Sequence, residues 1–119
     1  MSQNRIIREK IEEGRSLFLA TYFKMDNACI FFLSENESRL GTLAVALPQK
    51  QKMIGPPLSS ILLGDRNIMI ARILAERLAS KTNTIALVSI FIKTVNEKEA
   101  GPILLRLLEK TLRKSETEE

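Results

Sequence analysis

The chain has no histidine, and this absence excludes more than any other feature of its composition. Histidine is the commonest general base and the commonest metal ligand. Without it the one thiol, Cys29, has no imidazole to activate it, so Cys-His and Ser-His catalytic sites are ruled out. The five glycines, Gly14, Gly41, Gly55, Gly64 and Gly101, are scattered, and none is followed by lysine in phosphate-loop spacing. Carboxylate pairs such as Glu12-Glu13 and Glu35-Glu37 lie in polar, turn-like sequence where nothing raises a pKa, so they read as solvated surface charge. The sequence therefore predicts no enzyme, no cofactor and no metal.

Long apolar runs are also missing. No stretch approaches the ~20 residues that a membrane-spanning helix requires, and the N-terminal Met1-Ser2-Gln3-Asn4-Arg5 leads into no signal-peptide core. A cytoplasmic, membrane-free protein is expected. A single cysteine forms no internal disulfide, and Cys29 sits in the apolar run Ala28 to Leu33, where a thiol packs as a small hydrophobe.

Positive charge is present but dispersed. The net charge is +4, and every lysine or arginine cluster is diluted by acidic residues. A sequence pI near 9.5 raises a basic RNA-binding module as one reading, for which affinity would fall steeply with salt. Tyr22 and the five phenylalanines mostly occupy apolar runs suited to a core, however, so stacking platforms are scarce. No nucleic-acid partner is expected, and the mild positive charge suits attraction to an acidic protein.

What the chain does have is the material of one globular domain: 119 residues, 45% hydrophobic and 27% charged. Residues 1–119 read as a single domain, with 1–15 left without a class and 115–119 as a frayed tail. In the first of these segments Ile7 and Ile11 are four apart, in short and strongly charged surroundings. Ser16 to Lys24 and Ala28 to Leu33 are β-favouring runs joined by Met25-Asp26-Asn27, a hairpin. After the polar Ser34 to Ser38, the alternation Leu43, Val45, Leu47 adds a third antiparallel strand that stops at Pro48. Its small Thr42, Ala44 and Ala46 leave room for another layer.

Gln49 to Pro57 is the longest irregular stretch, and Leu58 to Leu63 a short strand. A helix is predicted over 66–80, with Asp65 or Asn67 as its cap and Ile70, Ile73, Leu74 and Leu78 as its buried face. Thr84 to Lys93, almost unbroken apolar sequence, is the expected central strand. A last helix starts at Pro102 and buries Leu104, Leu107, Leu108 and Thr111/Leu112. The fold class expected is α+β, an antiparallel sheet of about five to six strands with two main helices packed on one face. Strands apolar on both alternations favour covering the other face with a second chain, so a dimer is predicted.

At Leu43-Ala44-Val45-Ala46, Ser60-Ile61-Leu62-Leu63-Gly64-Asp65, Leu74 to Asn83 and Val88-Ser89 the sequence resembles the proteasome assembly chaperone 4 family, as an archaeal-type or divergent homologue. The resemblance runs from about Leu17 to the last helix and is most specific between Leu62 and Asn83. It implies an ATP-independent chaperone that pairs with a copy of itself or a related chaperone chain and holds proteasome α-type subunits while the α-ring forms. Within the motif, Leu62, Leu63, Gly64, Asp65, Arg77, Lys81, Thr82 and Asn83 are expected to act mainly as scaffold. The acidic C-terminus lacks the hydrophobic-tyrosine ending that other proteasome chaperones insert between α subunits.

Contact with the client is assigned to Lys50, Lys52, Met53 and Ile54, which combine charge with apolar anchors; the outer helix face around Arg72 and Arg77 is the competing surface. A roadblock-like dimeric scaffold is the alternative identity, but such domains place a long helix between early hairpins, and here three strands run consecutively from Ser16 to Leu47.

Overall fold

A computed structural model describes residues 5–49 and 58–117. Six strands form one sheet: β1 (Ile6–Glu13), β2 (Ser16–Lys24), β3 (Ala28–Glu35), β4 (Thr42–Ala46), β5 (Ser59–Leu63) and β6 (Ile85–Phe91). Two helices, α1 (Ile68–Thr82) and α2 (Glu97–Thr117), complete the α+β fold. The strand order is β1-β2-β3-β6-β4-β5.

The expected central strand is central: β6 lies between β3 and β4. Its position also corrects the expected meander. β4 does not pair with β3; it runs antiparallel to β6, with Ala44 opposite Val88, and β6 runs parallel to β3, with Phe31 opposite Val88. The sheet is therefore mixed. Two local features steer the chain past β3. Asn36 takes a left-handed backbone, φ 65°, and Gly41 crosses β6 so closely that a Cβ there would lie 2.0 Å from the Ile90 carbonyl oxygen. The consecutive meander is instead β1-β2-β3.

β1 settles the ambiguous N-terminal segment. A spacing of four repeats on one face of a strand as well as of a helix, so Ile7 and Ile11 both face the core from a β-strand, opposite Tyr22 and Phe18. As an edge strand β1 is covered by α2: the ammonium groups of Lys110 and Lys114 donate to the carbonyls of Lys10 and Arg8, each at 3.1 Å. Such charged cover keeps an edge from recruiting another sheet.

Both helices pack on the same face, α1 over β4, β5 and β6 and α2 over β1 and β2. On that face Phe18, Ala20, Tyr22, Phe31, Leu33, Ala44, Ala46, Val88 and Ile90 are buried. Tyr22 and Phe31 stack with centroids 4.5 Å apart. The small residues of β4 meet a helix whose own buried stripe includes Ala71, Ala75 and Ala79, which lets α1 sit close to the sheet. The free thiol of Cys29 is buried beside the hydroxyls of Thr82 and Thr84, 3.7 and 3.5 Å from Sγ.

The helix ends differ from those expected. α1 begins at Ile68, with Asn67 in the cap position but in a left-handed conformation whose side chain caps nothing. The N–H of Ile70 is satisfied by Glu97 of α2, at 2.9 Å. α2 begins five residues before Pro102, at Glu97, because Asn96 and Glu99 cap it reciprocally: Asn96 Oδ1 accepts the Glu99 N–H and Asn96 Nδ2 donates to Glu99 Oε1, both at 2.8 Å. At its other end α2 runs through Thr117, so Ser115 and Glu116, expected in a frayed tail, are helical.

Candidate functional site

Among the described residues, no helix or strand covers the second face of the sheet. In an antiparallel sheet with a solvated side, outward positions are polar. Here they are Leu17, Leu19, Thr21 and Phe23 on β2, Ile30 and Phe32 on β3, Leu43 and Val45 on β4, and Leu87 and Phe91 on β6, all half-buried. The exposed Leu47, Leu58 and Leu63 extend this surface across β4 and β5. A continuous apolar face of this kind marks a site of association.

A second exposed apolar group lies on the opposite side of the molecule. Ile68, Met69 and Ile73 point outward from α1. Ile73 had been expected in the core; the structure exposes 53% of it, because Ile70, Ala71, Leu74, Ala75, Leu78 and Ala79 already complete the buried stripe. These three side chains line a groove of about 550 Å³ with Asp65, Asn67, Arg72, Glu76 and Glu97. No helical pattern separates a core isoleucine from an exposed one in a helix apolar on two sides, which is why sequence reasoning missed this surface.

Lys50, Lys52, Met53 and Ile54 lie outside the described residues. The motif residues are placed as follows. Gly64 has φ 94°, a backbone that favours glycine, and a Cβ there would fall 2.7 Å from Thr42 Cα. Leu62 is the extra residue of a bulge in β5, and Leu63, Leu62 and Asp65 are exposed. Arg77 reaches α2, donating from Nε and Nη2 to Glu109 Oε2 at 3.0 and 2.5 Å, and Lys81 approaches the same oxygen at 4.0 Å. The Arg77 hydrogen bonds, against a smaller effect of burial, hold the Glu109 carboxyl below its usual pKa. Thr82 donates to the Leu78 carbonyl at 2.8 Å, and Asn83 closes α1 with a left-handed backbone.

Glu35, expected to be solvated, is 1% exposed. Burial works to raise its pKa, but Ser16 Oγ (2.6 Å), Thr94 Oγ1 and the N–H groups of Lys93 and Thr94 (2.8 Å each) all donate to the carboxylate and hold it at about 2. It is thus an ionised staple joining β2 and β3 to the end of β6. Among the described residues no three acidic or sulfur ligands gather as a metal site, and no helix is long and apolar enough to cross a membrane.

A family model described as proteasome assembly chaperone 4 matches residues 18–92, from β2 to the end of β6. The chain belongs to the proteasome assembly chaperone 4 family. Its role is that of a proteasome assembly chaperone. Among solved structures, the chain is similar to one in a yeast complex titled as a novel chaperone complex for 20S proteasome assembly. The two share 16% sequence identity with a TM-score of 0.69, and each is covered over 97% of its length. That likeness is one of fold. No curated protein sequence matches. The family match ends at residue 92, before α2, whereas the structural likeness includes both terminal elements. In this proteasome assembly chaperone fold the bare sheet face and the α1 groove lie on opposite sides.

Proposed function

We propose that this chain binds α-type proteasome subunits during α-ring formation, as a dimer, in the cytoplasm and without ATP. The observation that carries the reading is the family match over residues 18–92. The bare apolar face of the sheet supports the dimer: covering Phe23, Phe32, Leu43, Val45 and Leu87 with the equivalent face of a second chaperone chain, identical or related, removes from water the surface that the helices leave open. Binding to a folding or assembling client requires surfaces rather than reactive groups, in keeping with a chain that lacks histidine.

Lys50, Lys52, Met53 and Ile54 are proposed as one client contact, and replacing these four with serine is expected to weaken binding while the fold stays intact. The reading is tested by passing purified α-type subunits over the immobilised chaperone dimer in nucleotide-free buffer. Retention supports it, and passage of every subunit without retention refutes it.

A further inference from the structure

The outer side of α1 carries an apolar surface that neither the core nor the bare sheet face accounts for. Met69 is 68% exposed and Ile73 53%, and their spacing of four sets them on one stripe, with Ile68 and Arg72 on the adjoining one. Solvent-facing methionine and isoleucine side by side on a helix are unfavourable for an isolated molecule, since each leaves apolar surface in water that burial would remove.

The charge around them has a definite sign. Asp65, Glu76 and Glu97 stand against a single cation, Arg72, among the residues lining the groove. Arg72 is already engaged: its Nε donates to Ser59 Oγ at 3.1 Å, and the Ser59 hydroxyl donates in turn to Glu76. The groove is therefore locally acidic on a chain whose net charge is +4, a reversal that selects for a basic occupant. Its position also selects. α1 lies on the helix side of the sheet, so a dimer formed through the bare face leaves the groove open.

We infer that the α1 groove is the docking site for a segment of the client subunit that presents apolar side chains beside a lysine or arginine. The apolar side chains cover Met69 and Ile73, and the cation is received by Asp65, because Glu76 already accepts the Ser59 hydroxyl and Glu97 the Ile70 N–H. This assignment rests on the chaperone reading above and names the surface and chemistry by which the client is held. Asp65, Met69 and Ile73 are specificity-determining residues on this account.

The experiment measures binding of purified α-type subunits, one at a time, to the chaperone dimer carrying Met69→Asp with Ile73→Asp, Met69→Gln with Ile73→Gln, or Asp65→Lys. Because all three positions are exposed, thermal melting and dimer mass should stay unchanged. The aspartate pair should lower affinity at least about tenfold and the glutamine pair by less. Asp65→Lys should lower affinity several-fold at low salt, with the difference shrinking as salt rises. Wild-type affinity in all variants overturns the groove as the docking site while leaving the chaperone reading standing. An unsubstituted protein that binds no α-type subunit overturns both. A mass larger than the dimer that the aspartate pair abolishes shows that the groove holds another copy of this chain, and overturns the client assignment.

Discussion

The carboxylate of Glu97, in the first turn of α2, accepts the backbone N–H of Ile70, in the first turn of α1, at 2.9 Å. A free N–H at a helix start is ordinarily satisfied by the residue two or three positions before it; here the acceptor is 27 residues further along the chain. The bond ties the two helices together beside the α1 groove and offsets an Asn67 that caps nothing. Glu97→Ala should therefore destabilise the fold by about 1 kcal/mol, as loss of a helix cap does. Glu97→Gln, which keeps an acceptor oxygen, should cost less. Thermal unfolding of the two variants checks both values and their order.

Glu35 sets the acid limit of the fold. Its folded pKa, about 2, lies below the unfolded value of 4.5. Its contribution is complete above the unfolded pKa, declines as pH falls through the range between the two, and is gone once the folded carboxylate is protonated. The difference corresponds to roughly 3 kcal/mol. Chemical denaturation of the wild type at pH 7, 4 and 3 should show this loss setting in, with part of the contribution still present at pH 3. Glu35→Gln should be less stable at pH 7 and should lose less further stability on acidification.

The two close approaches of glycine are expected to be intolerant. Gly41→Ala places a methyl 2.0 Å from the Ile90 carbonyl oxygen, and Gly64→Ala adds a clash with Thr42 to a φ of 94°. Each should cost more than ~2 kcal/mol, from strain and overpacking. Gly14→Ala, at φ 61° with nothing within 4 Å of the added methyl, should cost less. Urea midpoints of the three variants test the ranking.

These cases also mark where the fold could be seen in the sequence. β2, β3, β4, β6 and the core stripe of α2 follow from local alternation or helical spacing, and they stand where expected. The β3-β6-β4 order was not legible, because a strand's neighbour is chosen by pairing across distant sequence, here Phe31 with Val88 and Ala44 with Val88. Glu35 looked like turn charge for the same reason: two of the residues that bury and ionise it, Lys93 and Thr94, are 58 and 59 positions away. Ile73 reads as a core residue in the sequence because it carries an apolar side chain at a helical spacing from Ile70. The buried stripe of α1 is complete without Ile73, and that is what leaves it to line the α1 groove.

The bare sheet face predicts an oligomeric state. Phe32→Asp, or Leu87→Asp on the neighbouring strand, puts a charge in the middle of that face while leaving the helix-side core untouched. Either variant should run as a folded monomer in light scattering at micromolar concentration, where the unsubstituted chain, with its mate, is expected to run as a dimer. Dimers that survive both substitutions would place the interface elsewhere.

The central claim is that this chain holds α-type subunits as part of a chaperone pair, and native mass spectrometry of the tagged chain purified from its own cells addresses it most directly. The account predicts assemblies that contain this chain, a second chaperone chain and at least one α-type subunit. Recovery of the chain alone, or only with proteins unrelated to the proteasome, would contradict it.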